Sequence, residues 1–282
     1  MESKTVTTTT LLKKKQKGEK ITVLTAYDYP TAKLLDEAGL DIALVGDSLG
    51  QVVLGYDSTL PVTLEDMVHH TKAVVRGTRR AMVVADMPFM SYQAGPNEAV
   101  ANAGYLIQEA AAISHQTEDR KPVTETITIA VKLEGGEHMV STIVRIVEAG
   151  IPVMGHLGML PMSATRFGGA RVHGKTKSEA ERILRDAKEL EEAGVFAIVL
   201  ELVPKDLAKQ VTDAISVPTI GIGAGPHCDG HVLVTSDLLG LYGAPFKHVK
   251  QYADLSGTIL QAFKEYAEDV RTGKFPGEEH SF

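Results

Sequence analysis

Residues 42–50, which read Ile-Ala-Leu-Val-Gly-Asp-Ser-Leu-Gly, contain the pattern that decides the fold. Four apolar residues follow one another and then give way to Gly-Asp-Ser, in which the acid is Asp47. An uninterrupted apolar run of this length is typical of a strand buried on both faces, as in a parallel sheet covered by helices. Two later apolar runs end in the same way, at Asp86 and at Glu134. We therefore expect a parallel sheet that gathers carboxylates at the carboxyl ends of its strands.

Apolar runs of this kind alternate with helical patterns along the whole chain. Strands are predicted at residues 21–27, 42–46, 82–85, 127–133, 152–156, 196–201, 218–221 and 231–235. Helices are predicted at residues 28–39, 63–77, 96–112, 137–148, 178–194, 204–214 and 255–271. This alternation within 282 residues favours a closed (β/α)8 barrel of the TIM type over an open doubly wound sheet.

Capping residues indicate where three of these helices begin. Asp28 precedes the first of them and is a favoured N-cap residue. Thr63 with Asp66, and Ser178 with Glu181, have the spacing of a capping box, in which the two side chains satisfy each other's backbone N–H groups. We therefore expect helices to start at Asp28, Thr63 and Ser178.

The barrel is expected to form one domain over residues 1–282, since no linker or change of composition interrupts it. Residues 1–20 are an N-terminal extension or helix, and residues 255–271 form a C-terminal helix. Residues 113–126 are a polar insertion between the third helix and the fourth strand.

Composition excludes several classes of function. The net charge of −7, without an evident basic face, argues against a nucleic-acid or anionic-membrane partner. Cys228 is the only cysteine, so the chain has no internal disulfide and no thiolate zinc site, which fits a reducing compartment. No signal peptide and no stretch of about 18–20 apolar residues is present. We therefore expect a cytoplasmic protein.

Polar residues at the predicted strand ends form the candidate site, because barrels carry their active groups at the carboxyl ends of the strands. Five successive strands contribute six of them: Asp47, Asp86, Lys132, Glu134, His156 and Glu201. Lys132 and Glu134 are two residues apart on one strand, so they face the same way. This convergence is hard to explain as packing.

Asp47, Asp86 and Glu134 offer only hard oxygen ligands. With no cysteine nearby, three carboxylates favour Mg²⁺ over zinc, with water and a chelating substrate completing the coordination. The alternative is that some of these acids only cap the next helix or pair with the neighbouring lysine.

The other three residues each allow more than one role. Lys132 could form a Schiff base, pair with Glu134, or hold a bound anion; nearby carboxylates favour its charged form, which supports the last. Glu201 could act as a base or cap the helix that begins near residue 204. His156 could contact substrate or be satisfied by backbone.

Several long motifs resemble one family in order along the chain, from about residue 21 to the C-terminus. They are Leu-Val-Gly-Asp-Ser-Leu-Gly at 44–50, Asp-Ser-Thr-Leu-Pro-Val-Thr at 57–63, Ala-Asp-Met-Pro-Phe-Met at 85–90, Val-Lys-Leu-Glu-Gly-Gly at 131–136, Gly-His-Leu-Gly at 155–158, Leu-Glu at 200–201, Gly-Ile-Gly-Ala-Gly at 221–225 and Pro-Gly-Glu-Glu-His-Ser-Phe at 276–282. On these motifs the chain resembles the ketopantoate hydroxymethyltransferases.

The resemblance implies a (β/α)8 barrel that moves a one-carbon unit from 5,10-methylenetetrahydrofolate to 3-methyl-2-oxobutanoate, giving 2-dehydropantoate for pantothenate and coenzyme A synthesis. It implies that Asp47, Asp86 and Glu134 hold Mg²⁺ and that Glu201 is the proton acceptor. Asp47, Ser48, Asp86 and Lys132, with His156 as a further candidate, would contact the ketoacid. The bacterial members are cytoplasmic and typically homodecamers.

Two segments depart from the pattern of this family. The insertion at residues 113–126 would lie at the barrel face opposite the site, so we expect activity to survive it. Ala170 stands where the family commonly has an aromatic residue, which bears on the packing of its loop rather than on the metal site.

Two competing functions follow from the same barrel. One is a metal-dependent ketoacid lyase or mutase of the phosphoenolpyruvate mutase and isocitrate lyase kind. Those lyases use a catalytic cysteine in a Lys-Cys-Gly-His context, whereas Cys228 lies in Pro-His-Cys-Asp. The other is a non-catalytic ketoacid-binding barrel, which the six polar strand-end residues argue against.

Overall fold

Eight parallel strands, each paired with its neighbours in chain order, form a closed barrel. In this computed structural model, residues 5–112, 127–163, 171–242 and 246–282 are described. The strands are Ile21–Thr25 (β1), Ile42–Val45 (β2), Met82–Asp86 (β3), Ile129–Glu134 (β4), Val153–Gly158 (β5), Ala197–Glu201 (β6), Thr219–Ile222 (β7) and Gly230–Leu233 (β8). The predicted (β/α)8 barrel is therefore confirmed.

Helices connect the strands. They are Thr8–Lys17 (α1), Tyr29–Glu37 (α2), Leu49–Val52 (α3), Leu64–Gly77 (α4), Pro96–Ala111 (α5), Val140–Glu148 (α6), Lys177–Glu192 (α7), Lys205–Ala214 (α8), Thr235–Leu238 (α9) and Leu255–Thr272 (α10). One-turn 3-10 helices occur at Glu137–Met139 and Glu278–His280. Asp28 caps α2 and Thr63 caps α4 with a capping box, as predicted.

Helix α7 begins two residues earlier than its predicted capping box. The box is formed by Thr176 and Glu179, so the prediction of Ser178 with Glu181 is wrong. Both pairs have the same spacing, but Glu179 also accepts hydrogen bonds from the Gly174 N–H and from Arg171. These additional contacts fix the start of the helix at the earlier pair, and the sequence spacing could not distinguish them.

Strand residues alternate between two apolar layers. Ile42 and Leu44 belong to the cluster inside the barrel, whereas Ala43 and Val45 belong to the larger cluster between the strands and the helices. This alternation follows from the period of two of a β-strand. Strands β2 to β7 are covered on both faces and are therefore mostly apolar until their carboxyl ends, whereas β1 and β8 each expose one residue, Thr22 and His231.

Helix α1 closes the amino end of the barrel. Its residue Leu11 is fully buried in the cluster inside the barrel. Lys14 Nζ lies 2.6 Å from Asp41 Oδ1, next to the start of β2, and Lys15 Nζ lies 3.0 Å from Asp229 Oδ2, next to the start of β8. The predicted N-terminal extension thus contains a helix that covers the face opposite the carboxyl ends of the strands.

The chain divides into two compact units, Met1–Leu233 and Val234–Phe282. The first contains the whole barrel. The second contains α9 and α10, of which α10 is capped by Asp254 and has no buried residue. The expectation of one domain over residues 1–282 stays a prediction. The insertion at 113–126 and Ala170 lie outside the described residues.

No helix among the described residues combines the length and the apolar character that crossing a membrane requires.

Candidate active site

The carboxyl ends of β2 to β6 bring all six predicted residues to one end of the barrel. Asp86, Glu134 and Glu201 are the last residues of β3, β4 and β6. The strand register places Asp86 beside Lys132 and Glu134 beside His156. Asp47 follows β2 directly, and its N–H donates a 3.0 Å hydrogen bond to Asp86 Oδ2. The predicted convergence of these strand ends is therefore present.

Lys132 is the buried cation of this cluster. Its Nζ lies 3.1 Å from Asp86 Oδ1 and 3.3 Å from His156 Nδ1. Burial acts to lower the pKa of Lys132, but the carboxylates of Asp86, Glu134 and Asp47 outweigh it and raise that pKa above its ordinary value. Lys132 is therefore an ammonium at neutral pH, which suits a group that holds an anion better than one that forms a Schiff base.

The acids of the cluster resist ionisation. Burial, together with the negative charge of Asp86, raises the pKa of Asp47 to about 7. Burial, followed by the charge of Asp47, also raises the pKa of Glu134 well above its usual range. In both cases the cause is charge placed in a low-dielectric surrounding near another carboxylate. A bound cation would reverse this effect, because it stabilises the ionised forms.

Glu134 is fixed by two residues that the sequence did not indicate. The Tyr92 hydroxyl donates to the Glu134 carbonyl at 3.2 Å and accepts from the Glu134 N–H at 3.1 Å. The Met162 N–H donates to Glu134 Oε2 at 3.2 Å. Both partners come from loops, so nothing in the strand pattern could have identified them.

His156 lies between Lys132 and Glu201. Its Nε2 is 3.2 Å from Glu201 Oε2, and its Nδ1 is 3.8 Å from Glu134 Oε1. Burial, together with the nearby charge of Lys132, lowers the pKa of His156 below its usual value, so the ring is neutral at neutral pH. The Glu201 side chain is 20% exposed against 3% for His156, which makes it the more accessible of the pair.

Ser48 is oriented by a tyrosine that follows β1. The Tyr27 hydroxyl and Ser48 Oγ are 2.8 Å apart. Tyr27 is buried, and its burial raises its pKa, so it stays protonated and able to donate a hydrogen bond. The sequence could have indicated Tyr27, since the apolar pattern places it at the end of the first predicted strand, and polar groups at strand ends converge on the site.

Backbone constraints set the position of Glu201. Gly158 has φ +99°, and a Cβ placed on it would lie 2.1 Å from the Glu201 carbonyl oxygen. Leu202, the next residue after Glu201, has φ +46°, a region that non-glycine residues rarely adopt. Strained backbone of this kind clusters at active sites, where the surrounding structure holds it in place.

Two of the three acids predicted as metal ligands keep a buried oxygen that accepts no hydrogen bond from a described residue, namely Asp47 Oδ2 and Glu134 Oε1. Asp86 Oδ1 is also buried, and its partner is Lys132 Nζ at 3.1 Å. Buried polar atoms are normally satisfied, so the oxygens of Asp47 and Glu134 are suited to accept a cation as a partner. The spacing of the three acids is wider than a closed ligand set: among the described residues, only Glu137, Asp186 and Glu189 have oxygens all within 4.8 Å of one another. At this spacing the three acids would not all bind one Mg²⁺ ion directly, and at least one of them would reach it through one of the waters that Mg²⁺ usually keeps.

A pocket of about 790 Å³ opens beside Glu134, and we call it the side pocket. It extends between the loops that follow β4 and β5 and the first turns of α7. Tyr92, Leu157, Met162 and Arg182 are among the residues that line it. A volume in this range is typical of small-molecule sites.

Solved structures with a similar fold include a hydrolase and a lyase. A phosphonopyruvate hydrolase, solved as a complex with oxalate and Mg²⁺, aligns with a TM-score of 0.57 over 98% of this chain and 93% of its own, at 14% identity. A 2,3-dimethylmalate lyase, described as a member of the phosphoenolpyruvate mutase/isocitrate lyase superfamily, aligns with a TM-score of 0.56 over 98% and 91% at 16% identity. At these identities the likeness shows the fold alone.

Sequence relatives are much more similar. A 3-methyl-2-oxobutanoate hydroxymethyltransferase from Moorella thermoacetica is 57% identical over 95% of this chain and 94% of its own length. One from Thermoanaerobacter sp. strain X514 is 55% identical over 100% of this chain and 97% of its own. Residues 5–278 match the profile of ketopantoate hydroxymethyltransferase. The chain therefore belongs to the ketopantoate hydroxymethyltransferase family of enzymes.

Proposed function

We propose that this enzyme transfers a hydroxymethyl unit from 5,10-methylenetetrahydrofolate to 3-methyl-2-oxobutanoate, giving 2-dehydropantoate for pantothenate synthesis. One water is consumed and supplies the hydroxyl oxygen, and tetrahydrofolate leaves. The reaction requires loss of the proton on C3 of the ketoacid and formation of a new bond from C3 to the donated carbon. The observation that carries the proposal is the buried cluster of strand-end acids around Lys132, with Glu201 at its accessible edge.

Asp47, Asp86 and Glu134 are the residues that would hold Mg²⁺. Two buried oxygens without hydrogen-bond donors among the described residues, Asp47 Oδ2 and Glu134 Oε1, support this role, together with the excess of buried carboxylates over the one ammonium of Lys132. Bound there, Mg²⁺ would polarise the ketone and stabilise negative charge on its oxygen.

Lys132 and Ser48 would hold the carboxylate of the ketoacid or the oxygen on which charge develops, beside Asp47 and Asp86. The raised pKa of Lys132 supports this role, because the group stays positively charged in its buried place. Ser48 can donate its proton while it accepts one from Tyr27. Preorganised donors of this kind stabilise charge without the reorganisation that water would need.

Glu201 would remove the proton from C3 and keep it as the neutral acid. Its partial exposure supports this role, since a base must reach a substrate that enters from solvent. The neutral His156 ring, 3.2 Å away, would orient the Glu201 carboxylate rather than compete for the proton. A positioned base contributes about 10²–10⁴ in rate.

The first test isolates proton removal from folate chemistry. Proton NMR of 3-methyl-2-oxobutanoate in D₂O should show exchange of the C3 proton in the presence of enzyme and Mg²⁺. Chelation with EDTA should abolish the exchange, and Glu201→Gln should lower its rate by at least about a hundredfold. Glu181→Gln, which changes an exposed acid of α7, is the matched control and should exchange at the wild-type rate.

Two results would contradict parts of this proposal. If Glu201→Gln exchanges the C3 proton at the wild-type rate, Glu201 is not the base. A folded, Mg²⁺-loaded wild type that neither exchanges the proton nor turns over 5,10-methylenetetrahydrofolate would favour a non-catalytic ketoacid-binding barrel.

We also propose that the enzyme works as a homo-oligomer, with a decamer implied by the family resemblance. Exposed large apolar side chains on α10, among them Leu260, Phe263 and Tyr266, support the proposal, because such patches are typical of protein–protein contacts. Sedimentation velocity should show a species near ten times the mass of the 30.3 kDa chain. A monomer at micromolar concentration would contradict it.

A further inference from the structure

Arg182 is the one residue lining the side pocket that carries a permanent positive charge, among those the structure describes. We propose that the side pocket receives the folate donor and that Arg182 binds the carboxylates of its glutamate tail. This inference rests on the proposed function and extends it by assigning the donor to a particular part of the site.

The pocket connects the reacting cluster with solvent. Its lining includes Glu134, which is 5% exposed, and Arg182, which is exposed. Leu157, Leu160 and Met162 add apolar surface to the lining. A donor with a flat ring system and an anionic tail matches this lining, because its ring can bind the apolar surface near the acid and its tail can reach the exposed arginine.

Arg182 is available to a ligand. It has no ion pair with any carboxylate of the described residues, whereas its neighbour Arg171 lies 3.1 Å from Glu179. His173 also lines the pocket, but burial, together with the charge of Arg171, lowers its pKa, so it is not a cation at neutral pH. An arginine can bind a carboxylate through two parallel hydrogen bonds, which neither histidine nor a backbone amide provides.

Two acids, Glu137 and Asp186, also line the pocket. Asp186, one turn after Arg182 on α7, accepts the Glu137 N–H at 3.3 Å through its Oδ1, which fixes the loop after β4. These two carboxylates repel another anion, so among the described lining residues Arg182 is the side chain that would attract the glutamate tail.

The test compares two arginines of one helix. Arg182→Gln should raise the KM for 5,10-methylenetetrahydrofolate about tenfold, the loss expected for one charge-assisted carboxylate contact. Arg185→Gln is the matched control, since Arg185 is exposed on α7 and does not line the pocket. Arg182→Lys keeps the charge and should recover part of the lost affinity.

Ligand variation and proton exchange separate this inference from the proposed function. Arg182→Gln should weaken the binding of tetrahydrofolate and leave the binding of 6-methyltetrahydropterin, which has no glutamate, unchanged. Exchange of the C3 proton in D₂O, which needs no folate, should be the same in wild type and Arg182→Gln.

An unchanged donor KM in Arg182→Gln, or an equal rise in Arg185→Gln, would overturn the assignment while leaving the proposed function intact. Absence of exchange in the wild type would instead count against the proposed function.

Discussion

One buried ammonium faces three buried carboxylates at the carboxyl end of the barrel. Lys132 compensates one negative charge, so Asp47, Asp86 and Glu134 together exceed it by two when all are ionised. Burying charge without a partner is unfavourable, and proteins respond by shifting pKa values or by binding an ion. The pKa values of Asp47 and Glu134 are raised, which reduces the buried negative charge. A bound divalent cation would instead neutralise that charge with the acids ionised.

Asp47→Asn should change the pH dependence of stability in the metal-free protein. The pKa of Asp47 is raised from 3.8 to about 7 in the folded state. Between these values the unfolded chain loses the Asp47 proton while the folded chain keeps it, so the free energy of unfolding falls as pH rises. Thermal melts in EDTA should therefore give similar Tm values for wild type and variant near pH 4.5. At pH 8 the variant should melt higher, by on the order of 5 °C.

Asp213→Asn is the control for this comparison, because Asp213 is exposed on α8 and pairs with the exposed Lys209. Its Tm should differ from the wild type by the same small amount at both pH values. A difference between Asp47→Asn and wild type that does not grow from pH 4.5 to pH 8 would contradict the shifted pKa of Asp47.

Cys228 should be unreactive in the native enzyme. It is fully buried beside the start of β8, and burial raises the pKa of its thiol. Thiolates react far faster than thiols, so both effects slow labelling. A thiol reagent at pH 7.5 should modify the native protein at least about a hundredfold more slowly than the protein in guanidinium chloride. Rapid labelling of Cys228 in the native protein that also stops exchange of the C3 proton of the ketoacid would instead support a cysteine-dependent lyase.

At the scale of elements, the strands could be predicted because most of them are covered on both faces and are therefore mostly apolar until the carboxyl end. The end of β3 at Asp86 and of β4 at Glu134 follows directly from this pattern. The start of α7 could not be predicted from spacing, since contacts of Glu179 with Arg171 and Gly174, in the segment just before the helix, decide it. The same holds for Tyr92, whose contact with Glu134 joins residues 42 positions apart.

Helix α1 should stabilise the barrel without taking part in its chemistry. Leu11 is fully buried in the cluster inside the barrel, at the end opposite the acids. Leu11→Ala should lower the free energy of unfolding by about 2–5 kcal/mol, the range for a buried leucine. Urea unfolding measures this loss, and Leu12→Ala, which changes a less buried neighbour, is the control.

The proton exchange rate of folded Leu11→Ala at 25 °C should match the wild type. An exchange rate that falls in proportion to stability would show that the two ends of the barrel are coupled.

At the scale of the whole molecule, the amino end of the barrel stabilises the fold and the carboxyl end contains the candidate active site. The amino end is closed by α1 through an apolar contact and ion pairs. The carboxyl end contains a cluster of buried acids, strained backbone at Leu202 and a pocket open to solvent. Functional sites often reduce stability in this way, and the rest of the fold compensates. Binding of a cation should restore part of the stability that is lost by burying the acid cluster.

Mg²⁺ should therefore raise the Tm of the wild type, because a ligand that binds only the folded state stabilises it. At one hundred times its dissociation constant the gain is about 2.7 kcal/mol, which corresponds to a shift of about 5–10 °C for a chain of this size. Asp86→Asn should stay folded but lose most of this shift, measured against NaCl at equal ionic strength. Glu189→Gln changes the other acid cluster and should keep the shift. The reverse result, with Mg²⁺ stabilising Asp86→Asn but not Glu189→Gln, would assign the cation to that second cluster and not to the strand ends.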